Sequence, residues 1–348
     1  MLGRTMIDLF AGAGGMSVGF HRAGFHSVLA VEFDHWAAET YRANFHSEVF
    51  EGDIADLNFF PKADVIIGGP PCQGFSPLGK NPPNDPRNRL WREYLRAVEQ
   101  MRPKVFVMEN VPELLKSGEF QQLVDLAGDL KYKLRARILN AADYGVPQRR
   151  RRAIVLGSRL GALDFPEPTH GLDGNLMGLE PFSSVRDAIG DLPLEPTGED
   201  WHIGRNPTEL SRKRYRCIPP GGNRFDLPYE LQPNCWRKKK TGTTDVFGRL
   251  EWDKPSLTIR TEFYKPEKGC YLHPQANRPI THREAARLQT FPDDFEFVGS
   301  KIQVARQIGN AVPCRLAQRI AETVALHLDN SKARKKRSIC AKKLSVCA

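Results

Sequence analysis

Short, wholly apolar runs that each end in turn chemistry constrain this chain more than any other feature. Val65-Ile66-Ile67 is followed by Gly68-Gly69-Pro70-Pro71, and Val105-Phe106-Val107-Met108 by Glu109-Asn110-Val111-Pro112. Apolar runs this short, with no polar alternation, have the form of parallel strands covered on both faces. Thr5 to Phe10 and Val28 to Val31 read the same way, ending at Gly12 to Gly15 and at Glu32, and Ala153 to Leu156 adds another strand. Helical stretches lie between them, one from about Met16 and one carrying Trp36, Thr40 and Tyr41. This alternation predicts an α/β fold over 1–160: a doubly wound, Rossmann-like sheet with ligands at the carboxyl ends of its strands.

From about Gly161 the pattern fades. Pro and Gly become frequent, and basic clusters stand at Arg212-Lys213-Arg214 and Arg237 to Lys240. We expect a smaller, loop-rich domain over 161–280. Helical pattern returns at Arg283 to Gln289, and again where Leu316, Ile320, Val324 and Leu328 recur every four residues. Residues 281–330 are therefore expected to return and complete the first domain. The stretch 331–348 reads as a basic, disordered tail. It holds seven of the 51 basic residues and no acidic one, which leaves 44 basic against 41 acidic elsewhere, a net of only +3. A polyanionic partner would thus have to be met by local patches of the folded body.

Composition excludes several classes. With 40% hydrophobic and 26% charged residues the chain reads as globular rather than disordered. No run approaches the ~18 to 20 apolar residues that span a bilayer. Asp8 interrupts the N-terminal apolar stretch, so no secretory signal is expected. The seven cysteines include no C-x-x-C pair, so neither a zinc cluster nor a disulfide framework is expected, and a reducing cytoplasm fits.

Three segments carry chemistry. The turn Phe10-Ala11-Gly12-Ala13-Gly14-Gly15 joins strand to helix, with Glu32 twenty residues beyond Gly12. Such a turn lets backbone approach a nucleotide while an acid takes ribose hydroxyls. The third glycine of G-x-G-x-x-G is replaced by Ser17, which argues against a pyrophosphate and suits a nucleoside such as S-adenosylmethionine. A plain tight turn is the alternative. Asp53 follows another possible strand and could face the adenine or be a solvated turn acid. Cys72, in Gly69-Pro70-Pro71-Cys72-Gln73-Gly74-Phe75-Ser76, follows a strand within a rigid turn, as a nucleophile would. A lone cysteine is otherwise a small hydrophobe. Glu109, ending the next apolar strand, should open on the same edge as a general acid, or simply be a solvated carboxylate.

These segments resemble the DNA (cytosine-5) methyltransferases, of the compact bacterial restriction-modification kind, and the likeness runs from Met6 to about Val324. Phe10 to Gly15 resembles the family's cofactor motif, Pro70-Pro71-Cys72-Gln73 its nucleophile motif and Glu109-Asn110-Val111 its acid motif. Gln148, Arg150 and Arg152 fit its Q-x-R-x-R pattern, while Arg283 to Gln289 and Gln307 to Pro313 match its last two motifs. Residues 161–280 correspond to its target-recognition region.

The resemblance implies S-adenosylmethionine as cofactor and no metal. It places Glu32 on the ribose, Phe33 against the adenine, Asp53 and Ile54 at its edge, and Pro71 and Leu90 around the pocket. Asn310, Ala311 and Val312, read as a helix start, would reach the methionine end. It implies that Cys72 adds to carbon 6 of a flipped-out cytosine while Glu109 serves the ring nitrogen. Arg150 and Arg152 would hold the base oxygen and activate the thiol. Gln73, Ser76, Gln148 and Thr258 would touch DNA.

The expected partners are double-stranded DNA and a cognate restriction endonuclease acting on the same site without a stable complex. The protein is expected to be a monomer free of membranes. The short N-terminus leaves no space for regulatory modules. Three other readings stay open: a transfer RNA methylase, a non-catalytic DNA-binding relative, and a dehydrogenase. The Gln-Gly-Phe-Ser after Cys72, the retained Cys72 and Glu109, and the broken glycine pattern weigh against them in turn.

Overall fold

The structure, a computed structural model, describes residues 3–71, 90–172, 178–238 and 242–346, with side chains as far as 333. Cys72, Gln73 and Ser76 lie outside the described residues. The chain forms two compact units. The first comprises Met1–Leu139, Arg151–Glu167 and Leu316–Ala348, the second Asn140–Arg150 and Pro168–Arg315. These bounds differ from the expected ones at 160 and 280. Residues 140–150 belong to the second unit, and only from Leu316 does the chain rejoin the first.

Among the described residues the first unit holds one sheet of seven strands. They are β1 (Arg4–Leu9), β2 (Phe25–Glu32), β3 (Glu48–Glu51), β4 (Val65–Gly68), β5 (Val105–Asn110), β6 (Lys133–Asn140) and β7 (Arg151–Ser158). Their order is β3-β2-β1-β4-β5-β7-β6. The pairs from β3 through β5 are parallel, and β7 runs antiparallel to β5. The sheet is therefore mixed, with the topological switch between β1 and β4, the place where open α/β sheets as a class bind ligands.

Helices α1 (Gly15–Arg22), α2 (His35–Asn44), α3 (Leu90–Met101) and α4 (Gly118–Asp129) connect the strands. Asp34 caps α2 by accepting from the Ala37 amide at 3.0 Å, and Ser117 caps α4 through Phe120 at 3.2 Å. The apolar runs are buried as expected: Ile7, Leu9, Ile66, Phe106 and Met108 pack with Trp91, Tyr94 and Leu95 of α3. β6 escaped the apolar-run criterion because Lys133, Arg135 and Arg137 alternate with half-buried residues, as suits a strand at the sheet edge.

The second unit is built of short elements, as expected of a loop-rich region. It contains β8 (His170–Gly171), β9 (Glu180–Pro181), α5 (Val185–Ile189), α6 (Glu209–Arg216), α7 (Asn234–Arg237), β10 (Gly248–Arg249), β11 (Cys270–Leu272), α8 (His282–Leu288) and α9 (Lys301–Asn310). Tyr215, Ile218, Leu227, Phe247 and Leu272 form a small apolar core. Polar groups do the rest. Buried Arg249 donates to the carbonyls of Tyr215, Ile218 and His273 at 2.6 to 2.7 Å. Arg278 grips fully buried Glu284 at 2.8 and 2.9 Å. Burial alone would raise the Glu284 carboxyl, but Arg278 and the Thr281 amide hold it below the usual range.

The last helix, α10 (Cys314–Val346), begins in the second unit and continues in the first. Its stripe of Leu316, Ile320, Val324 and Leu328 is buried, as the four-residue recurrence predicts. A Cβ on Gly19 of α1 would lie 2.4 to 2.6 Å from backbone of Ala317 and Gln318, so this close helix contact requires glycine. The helix also corrects the expectation of a disordered tail, because its backbone continues to Val346. Helix continued from a packed stretch needs no new nucleation, so it can outrun its apolar periodicity.

His273 makes the second unit acid-sensitive. Its Nδ1 accepts from the amides of Gln275 and Ala276 at 3.1 and 2.9 Å, which requires the neutral ring at that atom. Burial pushes the ring down to about 4, against an opposing pull from Glu284. An unfolded histidine binds a proton below pH ~6.5 that the folded one refuses until near pH 4, so stability falls as pH drops through that window. The expected loss is on the order of 2 kcal/mol. Asp8 titrates in the same range with the opposite sign, since burial raises it to about 7. The measurement is therefore the difference in urea midpoint between pH 7.5 and 5 for wild type against His273→Asn. An identical difference in both proteins would dismiss His273 as the cause.

Candidate active site

The carboxyl edge of the sheet in the first unit collects Phe10 to Gly15, Glu32, Phe33, Asp53, Ile54 and Glu109. After β1 the chain turns sharply, with Phe10 at φ 57°, Gly12 at 54° and Gly14 at 88°. A positive φ is uncommon for phenylalanine and marks strain held by the surrounding structure. Glu32 organises the turn: its carboxylate accepts from the Gly12 amide at 2.7 Å and from the Asp34 amide at 2.8 Å. Burial raises the Glu32 carboxyl, opposed by the amides of Asp34 and Gly12. Among the described residues nothing lies within 4 Å of where a Cβ on Gly12 would stand, which leaves open space above its backbone.

Phe33, next to Glu32, is 76% exposed, a bare ring beside a carboxylate. Ala11, Ala13, Gly14 and Gly15 are buried within the turn. Ile54 is buried while Asp53 is exposed, its carboxylate accepting from the Ala55 amide at 2.9 Å as a turn cap. Pro71 is exposed, and Leu90 opens α3 half-buried. An open glycine turn, an acid at the next strand end and an uncovered aromatic suit a nucleoside without a diphosphate, as S-adenosylmethionine is.

Glu109 is the penultimate residue of β5, 8% exposed. Arg152 of β7 holds it, Nε to Oε1 at 2.8 Å. The turn after β4 comes close: a Cβ on Gly69 would be 3.0 Å from the Glu109 Oε2. Asn110 Nδ2 donates to the Pro70 carbonyl at 3.0 Å, tying the end of β5 to the turn that leads into Cys72. Sequence reasoning left Asn110 without a task, though its place beside Glu109 in the acid motif was the available signal.

The remaining predicted residues lie in the second unit, and there the roles change. Gln148 is 0% exposed, so it cannot serve as the expected DNA contact in this arrangement. Its amide donates to the Leu288 carbonyl and Gln289 Oε1 at 3.2 and 2.9 Å and accepts from the Ile259 amide at 2.9 Å. A buried amide requires those partners. Arg150 donates to the carbonyls of Ile259 and Gly309 at 3.0 and 3.1 Å. Of the two arginines, Arg152 pairs with Glu109, while Arg150 donates to main-chain carbonyls. Arg149 and Arg151 are exposed, so the Q-x-R-x-R pattern is a period-two alternation. Thr258, half-buried, donates to the Arg149 carbonyl at 3.0 Å.

Asn310 is the last residue of α9, not a helix start, and Ala311 and Val312 lie in the link to α10. Ala311 ends α9 because it turns to extended backbone, φ −61° and ψ 145°. Gln289 Nε2 donates to the Ile308 carbonyl in the last turn of α9 at 2.6 Å and to the Ala311 carbonyl of the link at 3.3 Å. A Cβ on Gly309 would stand 2.4 to 2.6 Å from backbone of Arg260 and Thr261. Gly309→Ala is therefore expected to cost about 1 to 3 kcal/mol through overpacking. Its urea midpoint checks this, and an unchanged midpoint would mean that the backbones can part freely.

A family model for C-5 cytosine-specific DNA methylase matches residues 4–325. Type II methyltransferase M1.HphI of Haemophilus parahaemolyticus is 41% identical over 340 residues, covering 92% of this chain and 86% of the relative. Type II methyltransferase M.NgoFVII of Neisseria gonorrhoeae is 38% identical with the same coverage of both. Among solved structures, a prophage-encoded E. coli protein assigned as a DNA modification methyltransferase gives a TM-score of 0.71 at 27% identity, over 94% of this chain and 99% of that one. S. pombe Dnmt2 methyltransferase gives 0.65 at 17% identity over the same shares and bears on the fold alone. A family match across nearly the whole chain, with relatives this similar, means that the chain belongs to the C-5 cytosine-specific DNA methylases and is a DNA cytosine-5 methyltransferase.

Proposed function

We propose that the enzyme moves the methyl group of S-adenosylmethionine to carbon 5 of a cytosine flipped out of double-stranded DNA, through a covalent adduct with Cys72, within one short sequence. The observation that carries this reading is a single sheet edge. There a nucleoside cradle at Gly12 and Glu32 accompanies Glu109, clamped by Arg152 beside the turn that leads into Cys72.

When bound, S-adenosylmethionine supplies an electrophilic methyl group. Glu32 would accept hydrogen bonds from the ribose hydroxyls, and Phe33 would cover the adenine. The Cys72 thiolate forms a bond to carbon 6 as Glu109 gives a proton to the ring nitrogen, so electron density moves to carbon 5, otherwise a poor nucleophile. Once carbon 5 is methylated, its proton leaves to a water base. The carbon–sulfur bond then breaks with its electron pair returning to sulfur, and the ring proton returns to Glu109. Extruding the base costs a few kcal/mol, which phosphate and major-groove contacts of the second unit offset while reading the target.

Relatives named Type II methyltransferases favour a restriction-modification role, with an endonuclease sharing the site and no stable complex. A solitary methylase is the alternative. The enzyme acts as a monomer in the cytoplasm, where the chromosome is. Transfer of a tritiated methyl group to DNA and to RNA, with Cys72→Ser as control, tests the reading. DNA-only labelling that the control lacks is expected. Labelling of RNA alone, or labelling by the control, would overturn it.

A further inference from the structure

Ser17, which breaks the dinucleotide glycine pattern, belongs to a buried hydrogen-bond chain beneath the cofactor turn. Its Oγ lies 2.6 Å from Asp8 Oδ2 and 2.7 Å from the Tyr41 hydroxyl oxygen, within hydrogen-bond distance of both. Tyr41 in turn donates to Ser27 Oγ at 3.1 Å. All four side chains are buried, Asp8 at 1% exposure. They come one each from β1, α1, α2 and β2. The turn Phe10 to Gly15 joins the first strand and helix, and Glu32 and Phe33 join the second pair. An apolar filling would be less costly, because a buried carboxylate is expensive unless hydrogen-bonded. Burial, with the Glu32 charge adding to it, pushes Asp8 up to about 7.

Resting on the reading that this edge takes S-adenosylmethionine, we propose that Asp8, Ser17 and Tyr41 are positioning residues for the cofactor. They lock the glycine turn and the Glu32–Phe33 corner at one separation, so that ribose and adenine meet a preformed site. Glycine cannot do this at position 17, because it has no hydroxyl to join the two corners. The packing role that the third glycine serves elsewhere falls to Gly19, pressed on α10.

The test compares wild type with Ser17→Ala, Tyr41→Phe and Asp8→Asn. The readouts are equilibrium binding of S-adenosylhomocysteine, KM for S-adenosylmethionine, KM for DNA, kcat and thermal unfolding. Losing one buried hydrogen bond corresponds to roughly tenfold in affinity. Ser17→Ala and Tyr41→Phe are expected to raise the S-adenosylhomocysteine Kd and the S-adenosylmethionine KM about tenfold. Saturated kcat and KM for DNA should stay within about twofold. Asp8→Asn keeps an acceptor for Ser17 and should retain affinity within about threefold. Variants that melt earlier yet bind S-adenosylhomocysteine like wild type would reduce the chain of bonds to a structural support and overturn the proposal. Wild type that fails to bind S-adenosylhomocysteine would instead undo the cofactor reading on which it rests.

Discussion

Cys72→Ala is expected to lower methyl transfer by roughly 10⁴-fold or more, the scale on which loss of a covalent nucleophile is felt. Duplex binding should stay within a few-fold of wild type, because the thiolate serves addition rather than docking. The companion measurement uses duplex DNA carrying 5-fluorocytosine at the target. Fluorine cannot leave as the carbon 5 proton does, so turnover should stop at a covalent protein–DNA species that survives denaturing electrophoresis. Cys72→Ala should form none. Turnover by the alanine variant, or no trapped species from active wild type with cofactor present, would remove covalent catalysis from the mechanism.

Glu109→Gln is expected to be the second largest effect. The amide preserves size and the turn packing against Gly69 but cannot deliver a proton, and general acid catalysis is worth about 10²- to 10⁴-fold. Single-turnover methylation under saturating cofactor and DNA reads the step directly. Arg152→Met should give a smaller loss, because the Glu109 carboxyl group remains and only the guanidinium that orients it at 2.8 Å is removed. A Glu109→Gln enzyme within tenfold of wild type would mean that the ring nitrogen is served by another group. An Arg152→Met loss larger than that of Glu109→Gln would move the principal role to the arginine.

Much of the first unit was legible because its information is local. β1, β4 and β5 carry short apolar runs with turn residues after them, and the α10 stripe repeats every four residues. The glycine turn and Glu32 were recognisable by spacing alone, and the structure brings them within 2.7 Å. β6 was not legible, since an edge strand needs only a half-covered face and can carry three cations. The helical course of 331–346 was not legible either, because no apolar period marks it.

What the sequence determined by itself was the kind of fold and the family. Strand and helix periods follow from backbone geometry over a few residues, and the motifs follow from chemistry that tolerates few side chains. Only the tertiary structure decided which polar residues are buried against main chain and which stay exposed. Gln148 and Arg150 read as part of one basic run with Arg152. Yet their partners, Ile259, Gln289 and Gly309, come from more than a hundred residues away. The same holds for the division of the chain, where 140–150 joins residues 168–315 rather than its sequence neighbours. The physical reason is that a buried donor or acceptor must be matched wherever the chain happens to bring an opposite group, and no local pattern records where that will be.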